Sequence, residues 1–181
     1  MGFVKELIRK IKSGRTGGKN EVGSYLKRKL DIGEILSRDP SDNVVIDAHE
    51  YCMRKCGYDA SKLDNSCVRD FVLCMIFAGE VDNGGLRQFF SNSSGDMSEE
   101  TLAALGKINP QSADILEEAM ACFPDGNVPK DRELRNEIMD MFDDKANERL
   151  DELDRRFYEQ TEFSAQLYDF LMAHKNEFMG L

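Results

Sequence analysis

Residues 80–96 read Glu80-Val-Asp-Asn-Gly-Gly-Leu-Arg-Gln-Phe-Phe-Ser-Asn-Ser-Ser-Gly-Asp96 and follow a long apolar segment that we predict to be helical from about Leu63 to Val81. The two consecutive glycines predict a helix stop, because glycine occupies left-handed backbone conformations without a Cβ clash. A second, short helix is then expected to place its aromatic residues beside the first. The amide and hydroxyl side chains around the stop can bond to nearby backbone groups, which is typical of a structural corner. We therefore interpret six residues as architectural: Asn83, Gly84, Gly85, Gln88, Phe89 and Asn92.

Helical spacing of apolar residues continues along residues 41–181, with start and stop signals between the segments. Ser41 or Asp42 is a candidate N-cap, Ser98 begins a short helix expected to stop at Gly106, and Asn109-Pro110 begins another that runs to about Phe123. A long helical region is expected from about Lys130 to Tyr158, and a last helix from about Thr161 to Phe178. No alternating run rich in Val, Ile or Thr competes with these predictions. The sequence predicts an all-α fold, with one compact multi-helix domain at residues 41–181.

Residues 1–40 have a different character and are predicted to form a basic helical N-terminal extension. Residues 3–12 are amphipathic and basic, residues 13–20 form a Gly-rich linker, and a second basic cluster at residues 27–29 opens a helix expected to reach about Arg38. This arm could bind a membrane surface or an acidic partner, or it could pack on the body of its own chain. We favour packing on the body, because one twelve-residue helix binds a membrane weakly. We expect no stable membrane association.

The net charge of −10 conceals two opposite halves. Residues 1–30 hold nine Lys/Arg and two Glu, whereas residues 31–181 hold fifteen Lys/Arg and thirty-two Asp/Glu, which gives balances of +7 and −17. An acidic body repels nucleic acid and attracts basic proteins, so direct nucleic-acid binding is not expected. The five cysteines form an odd set without a secretory signal, which predicts reduced thiols in a cytoplasmic protein.

Motifs that carry catalysis are not found in the sequence. Residues 14–20 resemble a phosphate-binding loop but are one residue short and lack the terminal Ser/Thr that would hold magnesium. With only two histidines, there is little material for His-based catalysis. His49, Cys52 and Cys56 share a helical face, but they lack the paired spacing of zinc sites, and an apolar helix face explains buried thiols. We expect no enzymatic activity, no cofactor and no bound metal.

A ladder of carboxylates is the strongest candidate for a binding surface. Its members advance mostly by threes and fours and would share one broad face of a continuous helix: Glu133, Glu137, Asp140, Asp144, Glu148, Asp151 and Glu152. At ~1.5 Å per residue the ladder would extend for ~28 Å. Such a line could be a solvated helix face, or it could present carboxylates to a DNA-binding protein in place of phosphates.

The pattern Glu-Val-x-Asn-Gly-Gly-x-x-Gln-Phe-Phe-x-Asn-Ser in residues 80–93 and beyond resembles the signature of the bacterial DNA-mimic-protein domain family. The similarity continues at residues 104–109, 115–126, 128–133 and 153–158, and covers roughly residues 41–178. It implies an all-α fold and a non-catalytic acidic protein that occupies the DNA-binding surface of a basic regulator, with a homodimer as the expected assembly. An immunity or antitoxin-like protein that neutralises a basic toxin or nuclease is the alternative. The resemblance assigns no individual acidic residue, because the acidic residues used in the family lie outside the motif.

Overall fold

The computed structural model describes residues 28–40 and 43–181, and within them the predicted all-α fold is confirmed: they form nine α-helices and no β-strand. The helices are α1 (Ile32–Leu36), α2 (Val44–Lys55), α3 (Ser66–Ser91), α4 (Ser98–Ile108), α5 (Pro110–Met120), α6 (Arg132–Asp140), α7 (Asp144–Tyr158), α8 (Phe163–Ala173) and α9 (Lys175–Met179). Short 3-10 turns occupy Ala60–Lys62, Ser93–Met97 and Pro124–Gly126. The predicted helix and linker of residues 3–20, and the candidate caps Ser41 and Asp42, lie outside the described residues.

Helix α3 is the centre of the molecule. It is 26 residues long and packs against α2, α4, α6 and α7. The Asn65 side chain caps its start by accepting hydrogen bonds from the backbone N–H groups of Cys67 and Val68, which satisfies two of the donors that a helix start leaves free. The predicted apolar helix is therefore confirmed. It begins at Ser66, is interrupted by non-helical backbone at Gly84 and Gly85, and then continues to Ser91.

Aromatic rings connect α3 to its neighbours. Phe77 meets Phe89 and Phe157 with ring centroids 5.2 and 5.5 Å apart, and Phe71 meets Phe178 at 5.3 Å, all in edge-to-face geometry. All these rings but Phe157 are fully buried, and Phe157 is 5 % exposed. Each buried phenylalanine contributes about 1.5–3 kcal/mol, so this cluster is a main source of the fold's stability.

The start of the described region differs from the sequence prediction. Helix α1 begins at Ile32 rather than in the basic cluster, because the Asp31 side chain caps it by accepting from the N–H of Glu34 at 2.9 Å. Its apolar residues are buried in the core, so residues 32–36, which the sequence grouped with the extension, pack against the domain. Arg28 and Arg38 both donate to the buried carboxylate of Asp47, at 2.6 and 2.5 Å, and this ion pair fastens the segment to α2.

Two other helix boundaries also differ from prediction. Helix α4 continues through Gly106 to Ile108, since a single glycine costs a helix only about 1 kcal/mol. It ends where Pro110 keeps Asn109 out of the helical conformation, and Asn109 then caps α5 as predicted. The predicted last helix is instead two, because the chain leaves the helical conformation at His174.

Candidate partner-binding surface

The predicted continuous helix from Lys130 to Tyr158 is wrong, because the chain forms two helices in this region. Helix α6 ends at Asp140 and α7 begins at Asp144. Asp131 caps the first by accepting from the N–H of Leu134 at 2.9 Å, and Asp143 caps the second by accepting from the N–H of Ala146 at 2.8 Å. The sequence signal for the break was therefore Asp143, a preferred N-cap residue that the helical spacing concealed.

The carboxylates of the predicted ladder are divided between the two helices, so the straight ~28 Å line on one helix does not form. All seven side chains are nevertheless exposed. We call Glu133, Glu137 and Asp140 the α6 face, and Asp144, Glu148, Asp151 and Glu152 the α7 face. The buried sides of the same helices, with Met139 on α6 and Leu150 and Leu153 on α7, fix these two faces toward solvent.

Most carboxylates of the two faces are not neutralised by a neighbouring cation. Asp140 lies 3.3 Å from Arg87, and Glu152 lies 2.6 Å from Arg149. Within the part of the chain that the structure describes, no ion pair involves the other five carboxylates. Their charges therefore remain available to a basic molecule that approaches from solvent.

Exposed apolar side chains accompany the α6 face. Leu134 is 48 % exposed and Met141 is 74 % exposed. They are seven residues apart, and the half-buried Ile138 lies between them at helical spacing.

Helix α6 is held in place by Arg135, a fully buried arginine on its inner side. The guanidinium donates to the backbone oxygens of Phe90 at 2.5 Å and Asn92 at 2.8 Å, and to the Asp96 carboxylate at 2.7 Å. It also donates to the carbonyls of residues 129 and 130. Gly95 makes this approach feasible, because a Cβ there would lie only 2.6 Å from Arg135 Nε. Sequence reasoning missed this arginine, since Phe90, Asn92 and Asp96, which accept three of its hydrogen bonds, are 39–45 residues away.

The Asn-Gly-Gly corner has the predicted helix break, and the two glycines have different roles. Gly85 has a φ of +76°, whereas Gly84 has a φ of −162°, which any residue can adopt. Across the break, Glu80 accepts from Gln88 at 2.6 Å and from Asn92 at 2.9 Å, and Asn83 donates to Gln88 at 3.0 Å. Phe89 is fully buried. The polar residues of the motif thus bond to one another across the corner, which fits the architectural role predicted for them.

The part of α3 that follows the break is capped by Asp154, which lies on α7. Sequence reasoning also missed this residue. Its Oδ1 accepts from the N–H of Leu86 at 2.8 Å. Burial raises the pKa of the Asp154 carboxyl, although the Leu86 hydrogen bond opposes this shift and nearby Asp151 adds to it. The Tyr158 hydroxyl donates to the Val81 carbonyl at 2.8 Å, and burial raises its pKa to about 12. Asp151, Asp154, Arg155 and Tyr158 line an open cleft of about 440 Å³ beside the α7 face.

The structure does not bring His49, Cys52 and Cys56 together as a set of metal ligands. Among the described residues, the one group of three ligating side chains with ligand atoms within 4.8 Å of one another is a different one, Cys67, His174 and Glu177. Burial lowers the pKa of His49 to about 4 and raises the pKa of the Cys52 thiol to about 12. All five cysteines are free thiols. Of the helices that the structure describes, none has the length and apolarity needed to cross a membrane.

The chain was compared with known proteins. A family model described as DMP19-like protein matches residues 62–174, which include α3 to α8 and therefore both acidic faces. No curated protein matches the chain, and no solved structure matches it either.

Proposed function

Because the chain belongs to the DMP19-like protein family, we propose that it is a non-catalytic acidic protein that binds a basic, DNA-binding partner by presenting carboxylates in place of DNA phosphates. The observation that carries this proposal is the exposed, largely unneutralised α6 and α7 faces, which lie within the matched region. The family match includes residues 80–96 and so confirms the resemblance of that segment to the DNA-mimic family. This resemblance supports the same proposed activity.

Charge supplies attraction and orientation in this proposal. Duplex DNA carries one negative charge per ~1.7 Å of helix axis, a higher density than two helix faces provide. The acidic faces therefore do not need to copy every phosphate. They need only satisfy enough Lys and Arg side chains of the regulator to exclude DNA, and complementary charge also accelerates the encounter.

Apolar contact supplies the part of the affinity that salt does not screen. Leu134 and Met141 beside the α6 face would be buried by a bound partner, at about 25 cal/mol per Å² of apolar surface removed from water. A second copy of the chain is poorly suited to this surface, because it would place like charges opposite one another. Any homodimer of the protein, which we propose as its assembly, would therefore use another face.

The free thiols support a proposal for the cellular compartment in which the protein acts. Five free cysteines suit a reducing environment, so we propose that the protein acts in the cytoplasm.

Light scattering on the purified protein would measure its assembly state independently of the partner.

Affinity capture followed by competition tests the function. The full chain would be immobilised, incubated with lysate of its native host, and the bound proteins identified by mass spectrometry. We expect a DNA-binding regulator, whose operator complex the free chain then dissociates in a gel-shift assay. Capture of a toxin or nuclease whose activity the chain inhibits would instead establish the immunity-like alternative. A captured regulator that still binds its operator in excess chain would contradict DNA mimicry.

A further inference from the structure

Three side chains that commonly bind transition metals converge where α3 begins and α8 meets α9. The ligand atoms of Cys67, His174 and Glu177 all lie within 4.8 Å of one another, and His174 Nδ1 is 3.8 Å from Glu177 Oε1. Cys67 is in the first turn of α3, His174 is the residue between α8 and α9, and Glu177 is in the first turn of α9. The set is therefore assembled by the fold from residues more than one hundred positions apart.

The core next to this set fixes its geometry. Phe71 and Phe178 are fully buried and pack edge-to-face at 5.3 Å. Cys67 precedes Phe71 by four residues, and His174 precedes Phe178 by four residues. Residues four apart lie one above the other on a helical turn, so the aromatic pair brings the thiol and the imidazole to the same place.

These side chains have little other polar contact. Within the described residues, the Cys67 thiol makes no hydrogen bond, and the single polar contact of the His174 ring is the 3.8 Å approach to Glu177, which is longer than a hydrogen bond. Cys67 and His174 are both half-buried. A half-buried imidazole and thiol whose ligand atoms lie within 4.8 Å of each other, and which make no hydrogen bond to another described residue, are well placed to bind a cation.

We propose that Cys67, His174 and Glu177 bind Zn²⁺ as a three-ligand site, with water in the fourth position. Thiolate, imidazole and carboxylate are the ligand types that this borderline-soft cation prefers. Tetrahedral Zn²⁺ with bonds of about 2.0–2.3 Å places its ligand atoms about 3.4–3.6 Å apart, so the side chains need only small rotations to close on the ion. On binding, the Cys67 thiol loses its proton to solvent and binds as thiolate, while His174 binds as the neutral imidazole.

The consequence of this site is structural. A bound ion would hold the junction of α8 and α9 against the start of α3. None of these three helices carries an acidic face. The site is independent of the proposed function, so its failure would leave the partner-binding surface unaffected.

Calorimetric titration of the full-length protein with ZnCl₂, after chelator treatment and in a phosphine reductant, tests the proposal. We expect one Zn²⁺ per chain and a rise in melting temperature of about 5–10 °C at a hundredfold excess over Kd. Co²⁺ in place of Zn²⁺ should give the charge-transfer absorption of a thiolate ligand. Cys67→Ser, His174→Gln and Glu177→Gln should each weaken binding by about tenfold or more.

The controls are His49→Gln and Cys122→Ser, which remove the other histidine and a half-buried cysteine outside the set. Both should bind Zn²⁺ as the parent does, and circular dichroism would verify that every variant is folded. Absence of stoichiometric binding by the parent would overturn the proposal. Equal binding by the parent and the Cys67→Ser and His174→Gln variants would overturn it as well.

Discussion

At the residue scale, Gly84 and Gly85 are adjacent and chemically identical, yet the structure places different demands on them. Gly85 combines a φ of +76° with a close approach, since a Cβ there would lie 2.2 Å from Asp154 Oδ2. The atom nearest to a Cβ at Gly84 would be Gln88 Oε1 at 2.2 Å, at the far end of a side chain that is able to rotate. The sequence analysis treated both glycines as a helix stop that uses left-handed backbone, and only Gly85 has that conformation.

We predict that Gly85→Ala lowers the free energy of unfolding by about 2–3 kcal/mol, because it adds left-handed strain and displaces the Asp154 cap of Leu86. Gly84→Ala should change it by less than about 1 kcal/mol, since the lower entropy of the unfolded chain offsets a side-chain adjustment. Urea denaturation of both variants measures the difference. Equal losses at the two positions would show that the break does not depend on the backbone of Gly85.

His49 gives the protein a predicted sensitivity to mild acid. Part of the residue reaches the surface, but its Nε2 is buried and has no hydrogen-bond partner among residues 28–40 and 43–181. Burial lowers the pKa from 6.5 to about 4. The unfolded chain therefore binds the proton first. The stabilisation from neutral His49 is complete above pH 6.5 and is lost as the pH falls toward 4.

We expect the free energy of unfolding to fall by about 2 kcal/mol between pH 7 and pH 5 because of this residue alone. His49→Phe should remove that slope, whereas His174→Gln, measured with chelator present, should retain it. Denaturation at several pH values gives the comparison. A slope that is the same in the parent and in His49→Phe would mean that His49 takes up its proton equally readily in the folded and unfolded chain.

The local structural signals in the sequence were identified more readily than two side chains of the candidate site that act at long range. Asn109-Pro110 and the glycine pair determine the conformation of their own neighbours, so their effects follow from the local sequence. Asp154 and Arg135 act on groups 68 and 45 residues away, and nothing in their immediate sequence indicates those partners. Their roles emerge only once the helices are packed.

At the scale of elements, the presence of each helix was predictable from the sequence, but the residues at which the helices begin and end were less predictable. Apolar spacing identifies the buried side of each helix, and this spacing is unchanged by a short interruption such as residues 141–143. The break became visible through Asp143, whose side chain makes the capping bond in place of the backbone. The same interruption converted one acidic ladder into two acidic faces, so an error of three residues altered the geometry of the candidate site.

Arg135 connects several elements at once, and we predict that its loss is severe. Arg135→Met should lower the free energy of unfolding by about 3–5 kcal/mol, because carbonyl groups and the Asp96 carboxylate lose a buried partner. Arg135→Lys should rescue little of this, since an ammonium group cannot reproduce the forked donor geometry. Thermal and chemical denaturation would measure both. A lysine variant as stable as the parent would indicate that charge alone holds α6 in place.

At the scale of the whole molecule, charge was predictable in amount but not in position. Within residues 31–181, Asp and Glu outnumber Lys and Arg by seventeen. Packing determines which carboxylates remain available, because some, such as Asp47 with two arginines and Glu118 with Arg149 and Arg156, are consumed within the fold. The α6 and α7 faces are among the carboxylates that remain exposed and mostly unpaired. The sequence identified these residues as candidates and the structure shows that all seven are exposed, whereas their arrangement required the fold.

The central claim is that these faces bind a basic partner, and the most direct measurement is the affinity of the captured regulator for two charge-matched triple variants. Glu137→Lys, Asp144→Lys and Glu148→Lys reverse exposed carboxylates of the two faces, none of which is in an ion pair among the described residues. Asp114→Lys, Glu117→Lys and Asp169→Lys reverse exposed carboxylates elsewhere and change the net charge equally. We predict that the first triple weakens binding by at least about tenfold at physiological salt, while the second retains nearly the affinity of the parent. Equal affinity of the first triple and the parent would contradict the account and leave both faces as solvated helix surfaces.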